Sequence, residues 1–472
     1  MYFFYIFYHI NVGVFVAKYM FSKTTTVYQN DKQEFVLYNW LNSSYAVIFD
    51  QNHPLYKKLY TTQSTNKTTL HSNDFGELQD DLNYLLDSQI LVPEDYDHRQ
   101  NIQASFQQIV QNKKELSLIL LPAGEACNFN CVYCYEDHAT KSRMGKEHLT
   151  AIQNFIKSSD VDSITIEYFG GEPLINKSFM IELNEKVKLY SENNGKSFFS
   201  SATTNGWFLT SETLKSLYEV GVYAYQITLD GLPKYHNSLR PLNNGGGTFE
   251  KIISNIQSIV ENTELNKLNI IIRVNFNENN SSDEDINEFL DLIKTVTKND
   301  TRFSLLFRNI GDYSESNGKT GNKECLCSHD KKENIKNKYE ELALAKGLIL
   351  AETNLYLSFG SSSCYAAKPN NFVISPDWTV KKCTVALDKE INLVGNLLNS
   401  GELIFNQNFQ KWVEPKLFQK QECLSCHFIA QCNSNACPLE NMEQGISICP
   451  PQRNEAIKMI ELFIKQENND NV

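Results

Sequence analysis

The sequence predicts an α/β protein built on a partial (β/α)6 barrel, with a winged-helix-like module before it and a cysteine-rich domain after it. Three observations carry this. Six strand–helix units follow one another from residue 116 to about residue 346. Short apolar strands and one helical pattern precede them. Seven of the twelve cysteines crowd into residues 364–449, where the helical period fades.

Length and composition set the bounds. A chain of 472 residues can hold two or three domains and a sizeable core. Its 41% hydrophobic and 21% charged content is ordinary for a water-exposed fold. A net charge of −12 argues against wrapping a nucleic-acid backbone, though it would attract a basic leader peptide.

Residues 1–23 form an apolar N-terminal extension. MYFFYIFYHINVGVFVAKYMF is about one membrane thickness long. It has neither a basic front end nor a small-residue cleavage site, so it does not read as a signal peptide. Two readings stand: a membrane anchor with Lys18 and Lys23 on the cytoplasmic side, or a misassigned start with Met20 as initiator. The second is preferred. Membrane contact is expected only if residues 1–21 are real, and both readings leave the body cytoplasmic.

Residues 24–98 read as a small unit. EFVLYN and YAVIFD are strands. TTQSTNKTTLHSND is a loop, and DFGELQDDLNYLLDSQILV is a helix capped by Asp74 with Leu78, Leu82, Leu85 and Leu86 on one face. A Gln-, Asn- and Lys-rich linker spans 99–115. In the barrel, 116–315, the strands are LSLILLP, SITIEYFG, FFSSATTN, AYQITLD, NIIIRVNFN and RFSLLFRNI. Helical patterns alternate with them, from EHLTAIQNFIKS to KENIKNKYEELALAKG, the last lying in a bridging loop-and-helix segment, 316–355. Such alternation implies a parallel sheet with right-handed crossovers, and function at the C-terminal strand ends. The cysteine-rich domain covers 356–455. A helix, EAIKMIELFIK, and a polar tail expected to be disordered end the chain at 456–472.

CNFNCVYCYE, at 127–136, follows the first barrel strand and puts Cys127, Cys131 and Cys134 on one loop. A structural zinc site wants four ligands and would be incomplete. Three thiolates on an iron–sulfur cubane leave one iron open to something else, which is a catalytic arrangement. Here the sequence resembles the radical S-adenosylmethionine (SAM) enzymes over about residues 116–310. The resemblance implies that the open iron takes the amino and carboxylate groups of SAM, whose cleavage yields a 5′-deoxyadenosyl radical that abstracts a substrate hydrogen. It implies that Tyr133 packs near the adenine. Gly170, Gly171, Glu172 and Pro173 resemble the motif for the SAM amino group, with a carboxylate to receive the ammonium. Thr228 and Arg240 match positions that hold the ribose and the carboxylate. Thr203-Thr204-Asn205-Gly206 is either turn chemistry or part of the site. Glu167, Asp230, His236, Arg273 and Asn275 lie near the same rim, as direct participants or as salt bridges and caps.

The later cysteines follow C-x18-C, C-x2-C-x5-C-x4-C and C-x11-C. A zinc ribbon is one reading. The run also resembles the SPASM extension of radical SAM peptide maturases, which carries two auxiliary [4Fe–4S] clusters. That pattern implies Cys423, Cys426, Cys432 and Cys449 for one cluster and Cys364, Cys383 and Cys437 for the other. Two departures stand out: Trp378 replaces a usual glycine, and one extra residue separates Cys432 from Cys437. Cys325 or Cys327 completes the three-cysteine set, or its iron stays open for a substrate thiolate, or these two thiols are free.

The 24–98 unit resembles a leader-peptide recognition module, which captures a peptide as an added strand. Taken together, the resemblance implies a radical SAM/SPASM enzyme that modifies a ribosomally made peptide, forming cysteine sulfur-to-carbon thioether crosslinks. Its partners would be a precursor peptide with a leader, SAM, and a reductant such as flavodoxin or ferredoxin. The alternatives are a peptide epimerase, a carbon–carbon crosslinker, a sulfatase-type maturase, or a non-catalytic metal-binding scaffold. No residue is assigned as catalytic acid or base.

Overall fold

The computed structural model describes residues 17–470, except 49, 65–68, 72–74, 137, 139–141, 312–325, 329–330 and 352–356. The apolar stretch 1–16, the predicted cap Asp74 and Cys325 therefore lie outside the described residues. Among those described, no helix is long and apolar enough to cross a membrane.

The N-terminal unit begins earlier than the sequence suggests. Strand β1 (Lys18–Phe21) is the middle of a three-stranded sheet, between β5 (Thr69–His71) and β6 (Leu91–Pro93). A chain starting at Met20 would lose half of that strand. Strands β2 (Thr25–Gln29), β3 (Phe35–Asn39) and β4 (Ser44–Ile48) form a second antiparallel sheet. The described parts of the predicted loop are structured: a helix spans Pro54–Ser64, and β5 covers Thr69–His71. The predicted long helix breaks into a 3-10 turn, a helix at Gln79–Asp87 and β6. The apolar run Ile90-Leu91-Val92, with β-branched Ile90 and Val92, is buried where it leads into β6.

The 99–115 linker is instead a packed element. Helix His98–Ser105, capped by Asp97, runs into a π-turn at Phe106–Val110. Ile102, Phe106 and Val110 fall at helical spacing and share a core with Trp40, Phe428 and Cys432. This core joins the N-terminal unit to the cysteine-rich domain. Trp40 is fully buried; its ring meets Tyr38 and Phe428 at 4.8 and 4.9 Å, and Gln431 Nε2 donates to its carbonyl at 2.8 Å. Trp40→Ala is expected to cost about 3–5 kcal/mol. Denaturant unfolding of the metal-free variant checks this; a loss under about 1 kcal/mol would mean the two parts are only loosely joined.

The barrel strands match the predicted ones closely: β7 (Glu115–Leu120), β8 (Ser163–Tyr168), β9 (Ser197–Thr204), β10 (Val222–Thr228), β11 (Asn269–Phe276) and β12 (Phe303–Asn309). They pair in parallel, in chain order, with helices between them. The sheet does not stop at β7. From the cysteine-rich domain, β13 (Asn371–Ile374) adds in parallel to β7, and β14 (Thr379–Lys381), β15 (Leu393–Leu397) and β16 (Leu403–Phe405) continue it antiparallel. One ten-stranded sheet thus underlies both domains. The C-terminal helix spans Ala456–Asp470, so the tail expected to be disordered is helical through Asp470.

Candidate active site and metal centres

The cysteine loop lies where β7 ends, and the C-terminal ends of β8 to β11 close a cavity of about 150 Å³ around it. Cys127, Cys131, Cys134, Tyr133, Gly170, Gly171, Thr203, Thr204, Asn205, Thr228, Arg240, Arg273 and Asn275 all line it. Residues up to about 150 positions apart in sequence meet here because parallel strands bring their ends to one edge.

Gly170 and Gly171 serve the backbone first. Gly170 has φ +100°, and a Cβ there would stand 2.4 Å from the Gly124 carbonyl. A Cβ on Gly171 would stand 2.4 Å from the Glu125 carbonyl. Without side chains the strand end packs directly on the cysteine loop: Gly171 N–H donates to Gly124 O, and Glu172 N–H to Ala126 O at 2.9 Å.

The Glu172 carboxylate, for which the resemblance implies the SAM ammonium, is fully buried and does not line the cavity. Its oxygens accept from Thr204 Oγ1 at 2.8 and 2.9 Å, Asn205 N–H at 2.7 Å and Leu174 N–H at 3.0 Å. It positions the 204–205 turn. Asn205, so held, donates to Asn128 Oδ1 at 2.9 Å, with the same amide 3.8 Å from Cys127 Sγ.

Burial pushes the Glu172 carboxyl up to about 7 from 4.5, against the pull of its donors and Arg240. A raised carboxylate binds its proton more tightly folded than unfolded. Its contribution to stability is therefore greatest below about 4.5 and falls as pH rises toward about 7. In the metal-free protein, Glu172→Gln should remove a drop of about 3 kcal/mol across that window. Chemical denaturation at several pH values checks the slope; identical slopes in both proteins would refute it.

Tyr133 is held by its hydroxyl. It bonds to Asp230 and accepts from Arg240 Nη1 at 2.8 Å and Asn275 Nδ2 at 3.0 Å. Asp230, fully buried, also accepts from Asn275 N–H at 2.9 Å. His236 and Glu167 do not line the cavity. His236 Nδ1 accepts from Asp230 N–H at 3.0 Å. Its Nε2 lies 3.1 Å from Thr248 Oγ1, whose proton goes to the Arg240 carbonyl, so His236 carries its proton on Nε2. Burial lowers its pKa well below the usual value, keeping it neutral. Glu167 accepts from Thr203 Oγ1 at 3.4 Å, and burial raises its pKa.

The later cysteines form two groups. In the first, Cys383 and Cys437 both add to the pKa rise that burial gives Cys364. In the second, Cys426, Cys423 and Cys449 do the same for Cys432. Cys327 stands apart: after burial, its thiol responds to Glu278, Lys332 and Lys331. Its N–H donates to Ile310 O at 3.1 Å, and neighbouring Leu326 packs with Val132 and Tyr133.

The departures from the pattern are absorbed locally. Trp378 keeps the glycine-like conformation, φ +68°, and its ring stacks on His148 at 3.9 Å. The extra residue between Cys432 and Cys437 is taken up by consecutive left-handed residues, Asn433 and Ser434. Lys382 was missed in the sequence. Fully buried, it donates to Lys368 O and Asn371 O at 2.6 Å each, tying the loop beside Cys364.

Residues 121–293 match the radical SAM superfamily, so the chain carries a radical SAM domain. It is 29% identical over 198 residues to a cysteine-type anaerobic sulfatase-maturating enzyme of Clostridium novyi, covering 40% of this chain and half of that enzyme. It is 26% identical over 327 residues to a GTP 3′,8-cyclase of Clostridium perfringens, covering 66% of this chain and 92% of the cyclase. The structure of anSMEcpe with bound AdoMet and the Kp18Cys peptide superimposes with a TM-score of 0.57 at 18% identity, covering 76% of this chain and all of that one. The chain thus shares the fold of that structure.

The family implies a [4Fe–4S] cluster and SAM, and the cavity fits both. Burial pushes the Cys127 thiol up to about 12 and Cys131 to about 11, so ionised sulfur here needs a metal's charge beside it. Among the described residues no three His, Cys, Asp or Glu side chains converge on one ion-sized point. A cubane asks for something else, since each thiolate binds a different iron. Arg240 is only 7% exposed, and its buried Nε has no protein partner. An anionic group such as the SAM carboxylate would satisfy it.

Proposed function

We propose that this chain is a radical SAM enzyme that modifies a ribosomally synthesised peptide, forming a thioether between a peptide cysteine and a carbon. Cys127, Cys131 and Cys134 would hold the SAM cluster, and SAM bound there supplies the hydrogen-abstracting chemistry. Thr228 would take the ribose, Arg240 the carboxylate, and the Gly170–Gly171 backbone the amino group. Tyr133, fixed by three partners, would wall the adenine side. Cys423, Cys426, Cys432 and Cys449 would hold one auxiliary cluster and Cys364, Cys383 and Cys437 the other.

The observation that carries the thioether reading is the three-thiol group. Cys327 lies with the barrel rim rather than with Cys364, Cys383 and Cys437, so among the described residues that group has no fourth thiol. A site with three protein thiolates leaves room for a substrate's cysteine sulfur, giving proximity of the kind positioning supplies. The relatives act on different substrates by name, so the domain match alone does not choose one. The N-terminal unit favours a peptide. Among the described residues β4 pairs with β3 alone and forms one edge of that sheet. An extended leader can join such an edge. A ferredoxin or flavodoxin would supply electrons, and the cytoplasm is the proposed compartment.

Cys327, whose N–H meets the Ile310 carbonyl just past the end of β12, favours a second reading, in which a thiol returns a hydrogen atom in an epimerisation. Tandem mass spectrometry of a cysteine-containing precursor peptide, co-expressed anaerobically, separates the two. A loss of two hydrogens per cysteine, with thiols that no longer alkylate and resist reductant, is expected. Unchanged mass with solvent deuterium at an α-carbon would replace the thioether reading by epimerisation. Two hydrogens lost with every thiol free would point to a carbon–carbon link.

A further inference from the structure

In the four-thiol group, Cys423, Cys426, Cys432 and Cys449, one sulfur meets a guanidinium at the protein surface. Cys449 is exposed, and Arg453 Nη1 donates to its Sγ at 3.3 Å. The segment Cys449-Pro450-Pro451-Gln452-Arg453 fixes this contact. Its two prolines restrict the backbone, and a 3-10 turn at Pro451–Arg453 folds the arginine back toward the cysteine. Arg453 N–H donates to Pro450 O at 3.1 Å. The helix that follows holds the turn in place, since Ala456 and Ile460 are buried in the core that also contains Cys432. Among the described residues no carboxylate pairs with Arg453.

A second donor reaches another sulfur of the same group. Ser434 Oγ donates to Cys423 Sγ at 3.7 Å. Ser434 is buried and lies in the left-handed turn between Cys432 and Cys437. The group itself suits an iron–sulfur cluster. Cys432 is buried, Cys423 and Cys426 pack against the same core, and burial pushes the Cys432 thiol up to about 12. Ionised sulfur there needs positive charge beside it. Arg453 offers part of that charge, and Cys426, Cys449 and Cys432 in turn strengthen its hold on its own proton.

We propose that Arg453 is a positioning residue of the four-thiol site: its guanidinium binds Cys449 Sγ and, with the Ser434 hydroxyl on Cys423 Sγ, raises the reduction potential of a cluster held there. The proposal rests on the reading that Cys423, Cys426, Cys432 and Cys449 hold a cluster. One-electron reduction adds a negative charge shared with the thiolate sulfurs. A fixed cation and donated hydrogen bonds stabilise the reduced form more than the oxidised one. Water at the exposed sulfur screens the cation in part, so the effect is moderate. A cluster that accepts an electron left on a substrate benefits from such a shift.

The test uses the anaerobically reconstituted full chain with Cys127, Cys131 and Cys134 all replaced by alanine, so that only auxiliary signals remain. An EPR-monitored redox titration compares it with the same chain carrying Arg453→Met. One auxiliary midpoint should fall by the equivalent of a tenfold change in its one-electron equilibrium, about 59 mV, with the other midpoint and the iron content unchanged. The midpoint that moves should be the one that Cys432→Ala removes. Arg453→Lys, which keeps the charge but not the planar fork, and Ser434→Ala should each lower the same midpoint by less. Unmoved midpoints at full iron content, equal shifts of both, or a shift confined to the other cluster overturn the proposal. Should Arg453→Met fail to take up iron, Arg453→Lys and Ser434→Ala decide, and no shift in either overturns it. The ligand reading is tested separately: full retention of both clusters in Cys432→Ala would refute that ligand set whatever Arg453 does.

Discussion

Replacing Cys131 by alanine is expected to bring 5′-deoxyadenosine formation to background and to remove one cluster's iron, leaving the auxiliary iron in place. The reason is geometric. Cys127, Cys131 and Cys134 line one cavity together with the SAM-side groups, whereas the other two cysteine sets lie in the C-terminal domain. Removing one thiolate strips a ligand from the site, and the other donors lining it, the Glu136 carboxylate and the His138 imidazole, are harder oxygen and nitrogen groups that suit a cubane less well than thiolate. The scaffold should tolerate the change, because alanine fills part of the space where Cys131 packs on the barrel core. Anaerobic reconstitution, iron counting and product assay check this. Cys426→Ala is the contrast: it should lose auxiliary iron yet still cleave SAM without peptide. A metal-binding scaffold would give no 5′-deoxyadenosine in any variant, including the unsubstituted chain.

The barrel was legible because its signals are local. Each helix carries a 3.6-residue apolar stripe, as in Phe249–Glu261, where Phe249, Ile252, Ile253, Ile256, Ile259 and Val260 are all buried. The strands are short and flanked by Asn, Gly and Ser. The N-terminal unit was harder. Helix Pro54–Ser64 is largely Lys, Tyr, Thr, Gln and Ser, a composition that reads as loop, although Leu55 and Tyr56 are buried. Composition misled again at 99–115: the Gln- and Asn-rich wording hid Ile102, Phe106 and Val110 at four-residue intervals.

At the site, the cysteines and the glycine pair could be read because chemistry ties those residue types to that spacing. The partners of Glu172, Thr204 and Asn205, sit at the end of the next strand and can be assigned only once the two strand ends are placed side by side. Lys382 was invisible for a related reason: its ammonium meets the Lys368 and Asn371 carbonyls only once β14 folds back on β13. Trp378 shows the reverse case, where a residue that looks wrong keeps the required backbone because a histidine ring supports it.

Arg240→Met is expected to weaken SAM binding by about 10–100-fold and to destabilise the metal-free chain by about 3 kcal/mol. Two functions meet in this side chain. Its Nη1 fixes the Tyr133 hydroxyl, its guanidinium lies over the Phe129 ring at 5.7 Å, and its charge holds down the pKa of buried Asp230. Methionine keeps the bulk and removes all three. Asp230 then keeps the weaker help of Arg273, and burial, which already raises its pKa, gains ground. Arg240→Lys separates the roles. The ammonium restores charge beside Asp230, so most of the stability should return. It lacks the planar fork that can hold Tyr133 with one arm and a carboxylate with the other, so the binding defect should persist. Calorimetric titration of the reconstituted protein with SAM, beside denaturant unfolding of the metal-free protein, reads the two effects apart. If lysine restored both, Arg240 would be acting only as a buried charge, and the carboxylate contact would have to be sought elsewhere on the cavity wall.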